Sequence, residues 1–329
     1  MTLKKNDVVD VVSLGTACTS DEVKKIKNFV IKVGLTPNIF LEKETTLKQS
    51  TTHEFPSCKP STRFEQLKRA IENPQSKIIW CSRGGYGSAE ILPFLQKLKK
   101  PRPREEKIFV GFSDISSLNI FLIQEWGWKI IYAPMLAQLA LGLVSEKSEK
   151  AILDLIFGKT KELKYKLKSV NVASQFCVTC SIDSEEESEI STEIVGGCLS
   201  VIAGHFGTKN QIDWKGKILF LEDEGEDGER LDRYFRQITE IILEKKSLPA
   251  AILFGNFSES NLHGTPKAKN ISIALKKFAQ NLANNNLEIP LFEEAKTEKS
   301  LGHSKNMLPL ILGAKAKISD GILTLPCYF

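Results

Sequence analysis

From residue 8 to residue 132 the chain repeats one pattern: a short apolar run, a break, then a segment with apolar residues every three or four positions. Few folds accept that repeat. A run buried on both faces and followed by an amphipathic helix packs as a parallel strand with its crossover helix. Residues 8–14 read as the first strand. Ser20 is the expected N-cap of the next helix, with Asp21 and Glu22 in the first turn. Val23, Ile26, Val30 and Val33 mark the buried face of that helix, and Gly34 ends it. Residues 36–41, 77–81, 108–112 and 129–132 read as further strands, with helices at 64–71, 88–98 and 116–126. The expected fold is α/β, and residues 1–145 form a flavodoxin-like parallel-sheet domain with helices on both faces.

The repeat stops near Leu143. One more helix at 147–158, a strand at 163–168 where Lys alternates with Leu and Tyr, and a polar loop at 181–189 make a linking segment over 146–189. From Ile190 to residue 329 a mixed α/β domain is expected. Its strands are read at 217–221, 250–255, 314–318 and 321–325, and its helices at 197–205, 230–245 and 268–284.

A length of 329 residues suits two such domains. The 45 basic and 40 acidic residues are spread along the chain, which argues against a nucleic-acid partner. No apolar run reaches the ~18 residues a membrane span needs, so no membrane partner is expected. Lys4 and Lys5 precede an apolar stretch as in a signal peptide, but Asp7 and Asp10 interrupt it, and the chain is read as cytoplasmic. The seven scattered cysteines do not form a disulfide framework. Cys177 and Cys180 form a lone CxxC with no second ligand pair, so it is read as no zinc site.

Three segments carry the residue types of catalysis. The stretch Gly111-Phe112-Ser113-Asp114 sets a serine between a strand and a helix, where ligands collect in open α/β sheets. The free N–H groups of the following helix can hold an oxyanion, although on this motif alone Ser113 and Asp114 read more readily as helix caps. The loop Ser82-Arg83-Gly84-Gly85-Tyr86-Gly87-Ser88 also joins strand to helix. It can turn tightly against a ligand, or be only a tight turn. A serine nucleophile needs a base, and the chain has only His53, His205, His263 and His303. No local pattern chooses among them. Glu222 ends an apolar strand and is the most buried carboxylate expected in the acidic stretch 222–229, which lacks the spacing of an EF-hand.

These stretches, in this order, resemble the LD-carboxypeptidase family, which includes muramoyltetrapeptide carboxypeptidases and microcin C self-immunity peptidases. The likeness rests on Arg83–Gly87, Gly111–Asp114, Leu221-Glu222-Asp223 with Arg230, and Gly302-His303, supported by Ile194–Gly197 and Ile252–Phe257. It implies Ser113 as nucleophile, His303 as base and Glu222 as the acid that orients it, with the active site in a cleft between the two domains. It further implies an oxyanion hole from the N–H groups of Gly85 and Asp114. No cofactor and no metal is implied. The implied substrate is a small murein peptide that loses a terminal D-alanine, and the implied assembly is a homodimer. A substrate with a free carboxylate asks for a cationic partner, for which Arg83, Arg230 and Arg233 are candidates. Departures from the family lie at Cys198, where Asn is common, and at Tyr132-Ala133-Pro134, Ser13-Leu14-Gly15-Thr16 and Phe55-Pro56-Ser57-Cys58. A peptidyl-nucleotide substrate is the rival reading, with Trp214 as a candidate stacking group, and a non-catalytic two-lobed small-ligand binding protein is the second alternative.

Overall fold

A computed structural model describes residues 2–40, 58–98, 107–170, 189–258 and 268–327. His53, His263, the Cys177/Cys180 pair, the 181–188 loop and residues 55–57 lie outside them. The chain divides into two compact units, residues 1–161 with 304–313 and 327–329, and residues 162–303 with 314–326. The expected boundaries at 145 and 190 differ from this division. Helix Glu146–Ile156 goes with the first unit and strand Glu162–Ser169 with the second. Residues 304–313 return to the first unit because Leu310–Leu312 adds an edge strand to its sheet.

In the first unit, β1 (Val8–Val12), α1 (Ser20–Lys32), β2 (Thr36–Ile39), α2 (Pro60–Glu72), β3 (Ser76–Cys81), α3 (Leu92–Leu95), β4 (Ile108–Val110), α4 (Ser116–Trp126), β5 (Ile130–Tyr132), α5 (Leu136–Ala140) and α6 (Glu146–Ile156) follow in order. The strands β2-β1-β3-β4-β5 pair in parallel. The expected parallel sheet is present, and the Leu310–Leu312 strand adds an antiparallel edge that a flavodoxin-like sheet does not include, pairing with β5. The central strands are buried on both faces, as their unbroken apolar runs require. The N-cap of α1 is Thr19, not Ser20. The Thr19 hydroxyl accepts the Glu22 N–H while the Glu22 carboxylate accepts the Thr19 N–H. The helix expected over 88–98 is a 3₁₀ turn at Ser88–Ile91 followed by α3. Pro93 fits only the first turn of a helix, so α3 begins at Leu92.

The second unit contains β6 (Glu162–Ser169), β7 (Ile190–Cys198), α7 (Leu199–Ala203), β8 (Ile218–Glu224), α8 (Gly228–Lys245), β9 (Ala251–Ser258), α9 (Ala268–Asn284) and β10 (Leu291–Glu294). The edge strand of the first unit is β11, and β12 (Lys315–Ser319) and β13 (Ile322–Pro326) complete the second. The mixed domain expected here is a closed barrel in the order β10-β6-β13-β12-β7-β8-β9. Strands β7 to β10 run parallel with helical crossovers, and the remaining ladders are antiparallel. Strand β7 carries no clear strand signal in the sequence, because two adjacent glycines, Gly196 and Gly197, weaken any strand pattern. The segment expected to be helical from 197 begins as its last residues. Phe235 and Phe278 stack at 4.6 Å and join α8 to α9.

Candidate active site

Three loops of the first unit, at the carboxyl ends of β1, β3 and β4, meet around Ser113. Ligands of open α/β sheets sit on that edge. Ser113 opens a 3₁₀ turn, Ser113–Ile115, between β4 and α4. Its φ of +62° is left-handed, a conformation that a serine adopts only where its surroundings enforce it. The capping reading of Ser113 therefore gives way, since the N-cap residue is Phe112 and no side chain caps the turn. The Ser113 N–H donates to the Tyr132 hydroxyl at 3.4 Å.

The glycine loop packs directly on this serine. A Cβ at Gly84 would stand 3.1 Å from the Ser113 Cβ and 3.3 Å from its Oγ, so this position favours a residue with no side chain. The Thr16 N–H donates to the Gly84 carbonyl at 2.9 Å. A peptide is planar and trans, so the Gly85 N–H points away from Thr16. The Tyr86 N–H is occupied by the Thr16 hydroxyl at 3.1 Å. Asp114 ties the two loops together. Its carboxylate accepts the Ser88 N–H at 2.9 Å, and the Ser88 hydroxyl donates to its carbonyl. Burial pushes the Asp114 carboxyl above the ordinary range against the pull of the Ser88 and Gly87 N–H groups.

In the second unit, Glu222 and His303 form a buried pair. Glu222 is 0% exposed near the end of β8. Its Oε2 accepts from His303 Nδ1 at 2.7 Å and from the His303 N–H at 2.9 Å. This fixes the tautomer that leaves Nε2 able to take a proton. Burial alone would lower the His303 pKa. The charge and hydrogen bond of Glu222, with smaller contributions from Glu224 and Asp223, outweigh it and hold the pKa up at about 9. Gly302 makes the pairing possible. It has a φ of +96°, and a Cβ there would lie 2.5 Å from Glu222 Oε2.

The segment carrying His303 is clamped from two further sides that the sequence did not reveal. The ladder between β8 and β9 shifts register at Glu222, with one more residue on β9 than on β8. Asn256, in that irregular stretch, donates its N–H to the Leu301 carbonyl at 2.7 Å and its side-chain amide to the His303 carbonyl. Glu294, fully buried at the end of β10, accepts from the Ser300 hydroxyl at 2.6 Å, the Leu301 N–H at 2.9 Å and the Ser300 N–H. Lys296 approaches the same carboxylate at 2.9 Å. Burial would raise the Glu294 pKa, but these donors outweigh it and hold it below the ordinary value. Asn256 lies in a stretch that bears the family likeness, and its bulge could not be read from residue types. Glu294 sits in a short strand with no motif.

Arg83 pairs with Glu22 at 3.2 Å. Arg230 and Arg233 lie on the exposed side of α8, with Arg230 paired to Glu226 at 3.3 Å. Trp214 is fully buried, with its Nε1 donating to the Ser247 carbonyl at 2.7 Å, so it is a core residue and not a stacking group. His205 is buried beyond α7, which lowers its pKa. Cys198 points its thiol at Asp223 at 3.6 Å, and burial pushes that thiol well up. Among the described residues no group of three His, Cys, Asp or Glu could hold a metal ion, and no helix is long and apolar enough to cross a membrane.

The sequence matches the LD-carboxypeptidase N-terminal domain over residues 9–133 and the LD-carboxypeptidase C-terminal domain over residues 191–318. The chain belongs to the LD-carboxypeptidase family. It is 34% identical to a putative carboxypeptidase of Rickettsia conorii over 265 residues, covering 80% of this chain and 75% of that one. It is 25% identical to a probable murein peptide carboxypeptidase of Bacillus subtilis over 321 residues, covering 96% and 90%. Its fold is shared with the MccF-like protein of Bacillus anthracis, at a TM-score of 0.75 and 20% identity, covering 100% and 99%. The N-terminal match lies within the first unit, and the C-terminal match lies within the second except for residues 304–313. The C-terminal match spans β11, which belongs to the first unit's sheet.

Proposed function

We propose that this LD-carboxypeptidase is a serine peptidase that cleaves the L,D-peptide bond of murein tetrapeptides and releases the terminal D-alanine. The observation that carries the serine assignment is the left-handed φ of Ser113 at a strand-to-helix turn, with the Gly84 backbone against its hydroxyl. That is the arrangement of a nucleophile elbow.

In this reading Ser113 Oγ attacks the scissile carbonyl carbon as His303 Nε2 takes the hydroxyl proton. Glu222 holds Nδ1–H and balances the imidazolium charge. The N–H groups of Gly85 and Asp114 receive the oxyanion. The C–N bond then breaks, and His303 returns the proton to the departing D-alanine amine. Water, deprotonated by His303, hydrolyses the ester and frees Ser113. Arg83, Arg230 and Arg233 remain the candidate partners of the substrate carboxylate, each to be tested by its effect on KM. A homodimer and a cytoplasmic location are part of the proposal and are tested by light scattering and cell fractionation.

The test is incubation with murein tetrapeptide, murein pentapeptide and a peptidyl-nucleotide, with products read by mass. The proposal expects D-alanine from the tetrapeptide and none after Ser113→Ala. Cleavage of the peptidyl-nucleotide alone would move the substrate assignment, and full activity of the Ser113→Ala protein would remove the nucleophile.

A further inference from the structure

We infer that Arg63 is the positioning residue of the oxyanion loops. This rests on the serine-peptidase reading above and names the group that sets its loop geometry. Arg63 projects from α2 and is 0% exposed, although it carries a full charge. Such a group is costly to bury unless its donors are all used. Its Nε donates to the Cys58 carbonyl at 2.9 Å, and Nη1 donates to the Leu14 carbonyl at 3.0 Å and to the Gly87 carbonyl. Nη2 pairs with Glu90, whose side chain is one-third exposed. One planar fork thus holds the loop after β1, the entry to α2 and the loop after β3.

The consequence follows from peptide planarity. With the Gly87 carbonyl turned toward Arg63, the Ser88 N–H must point the opposite way, and there it meets Asp114 Oδ2 at 2.9 Å. The Leu14 carbonyl is fixed by the same guanidinium two residues before Thr16, whose N–H orients the Gly84–Gly85 peptide. Both proposed oxyanion donors, Gly85 and Asp114, therefore depend on carbonyls that Arg63 captures. A hydrophobic side chain of similar length would fill the volume but withdraw the guanidinium from all three carbonyls, so that Gly87 would be held only by the Glu90 N–H at 3.1 Å.

The test compares Arg63→Lys, Arg63→Met and wild type on murein tetrapeptide, below the melting temperature of each. Loss of a well-placed oxyanion donor costs about 10²-fold to 10³-fold in kcat. Arg63→Met is expected to fall by about that factor with KM within about threefold, and Arg63→Lys to lie between it and wild type. A lowered melting temperature with unchanged kcat would overturn the inference. Amide hydrogen exchange over 84–88 and 113–115 gives a second measurement that needs no substrate and no fold beyond that of Arg63→Lys. Faster exchange in that variant is expected, and unchanged exchange would overturn the positioning role. Wild type without activity would defeat the peptidase reading, while the exchange comparison still decides whether Arg63 sets these loops.

Discussion

Replacing Glu222 with Gln removes one buried charge and little volume, and it bears on both activity and stability. In wild type the carboxylate raises His303 from an ordinary 6.5 to about 9, against burial that would lower it. That rise corresponds to about 3 kcal/mol of preference for the charged imidazole in the folded state. The group is raised, so its stabilisation is complete below pH 6.5 and is lost as pH climbs through about 9. The stability advantage of wild type over Glu222→Gln should therefore shrink by about 3 kcal/mol across that window, as read by urea unfolding on either side of it. The proposed base must be neutral, so wild-type kcat/KM should rise with pH and level off above about 9. In Glu222→Gln the limb should move down by two units or more, on a plateau about 10²-fold to 10⁴-fold lower. A stability gap that is flat with pH, together with an unmoved limb, would refute the pairing as the source of the raised pKa.

Gly302→Ala should unfold at lower denaturant by about 2 kcal/mol or more and lose most activity, because the new Cβ meets Glu222 Oε2 at 2.5 Å from a left-handed backbone. Ser113→Gly should abolish turnover yet leave the protein as stable as wild type or up to about 1 kcal/mol more stable, since glycine relieves the φ of +62°. A clear loss in melting temperature would argue against strain at that residue. Glu294→Ala strips a common acceptor from Ser300, Leu301 and Lys296, and should cost about 3 kcal/mol or more of stability along with kcat, while Glu294→Asp recovers part of both. EDTA should leave tetrapeptide hydrolysis unchanged, and inhibition reversed by added metal would point to chemistry other than a serine ester.

The sheet of the first unit is legible because its central strands are buried on both faces while α1 and α6 each bury one. Residue type alone then separates the two periods at 8–12 and 20–32. The barrel was less legible. Strand β7 ends in two glycines, and β10 and β11 are four and three residues long, too short for any period. Ser113 and Glu222 stand out from their places at strand ends, whereas their roles and the choice of His303 come from the family likeness, since local pattern leaves four histidines equal. Arg63 was invisible to sequence reasoning for a physical reason. An arginine amid the apolar residues of a helix reads as a solvated position, and only the carbonyls of Leu14, Cys58 and Gly87 explain its burial.

Whether the Ser113 oxygen becomes an ester is open to one decisive experiment: rapid acid quench of tetrapeptide turnover, followed by intact mass and peptide mapping. The account predicts a transient tripeptidyl adduct on Ser113 that vanishes in Ser113→Ala and accumulates poorly in Glu222→Gln. Sustained D-alanine release with no adduct, or an adduct mapped to another residue such as Cys198, would contradict it.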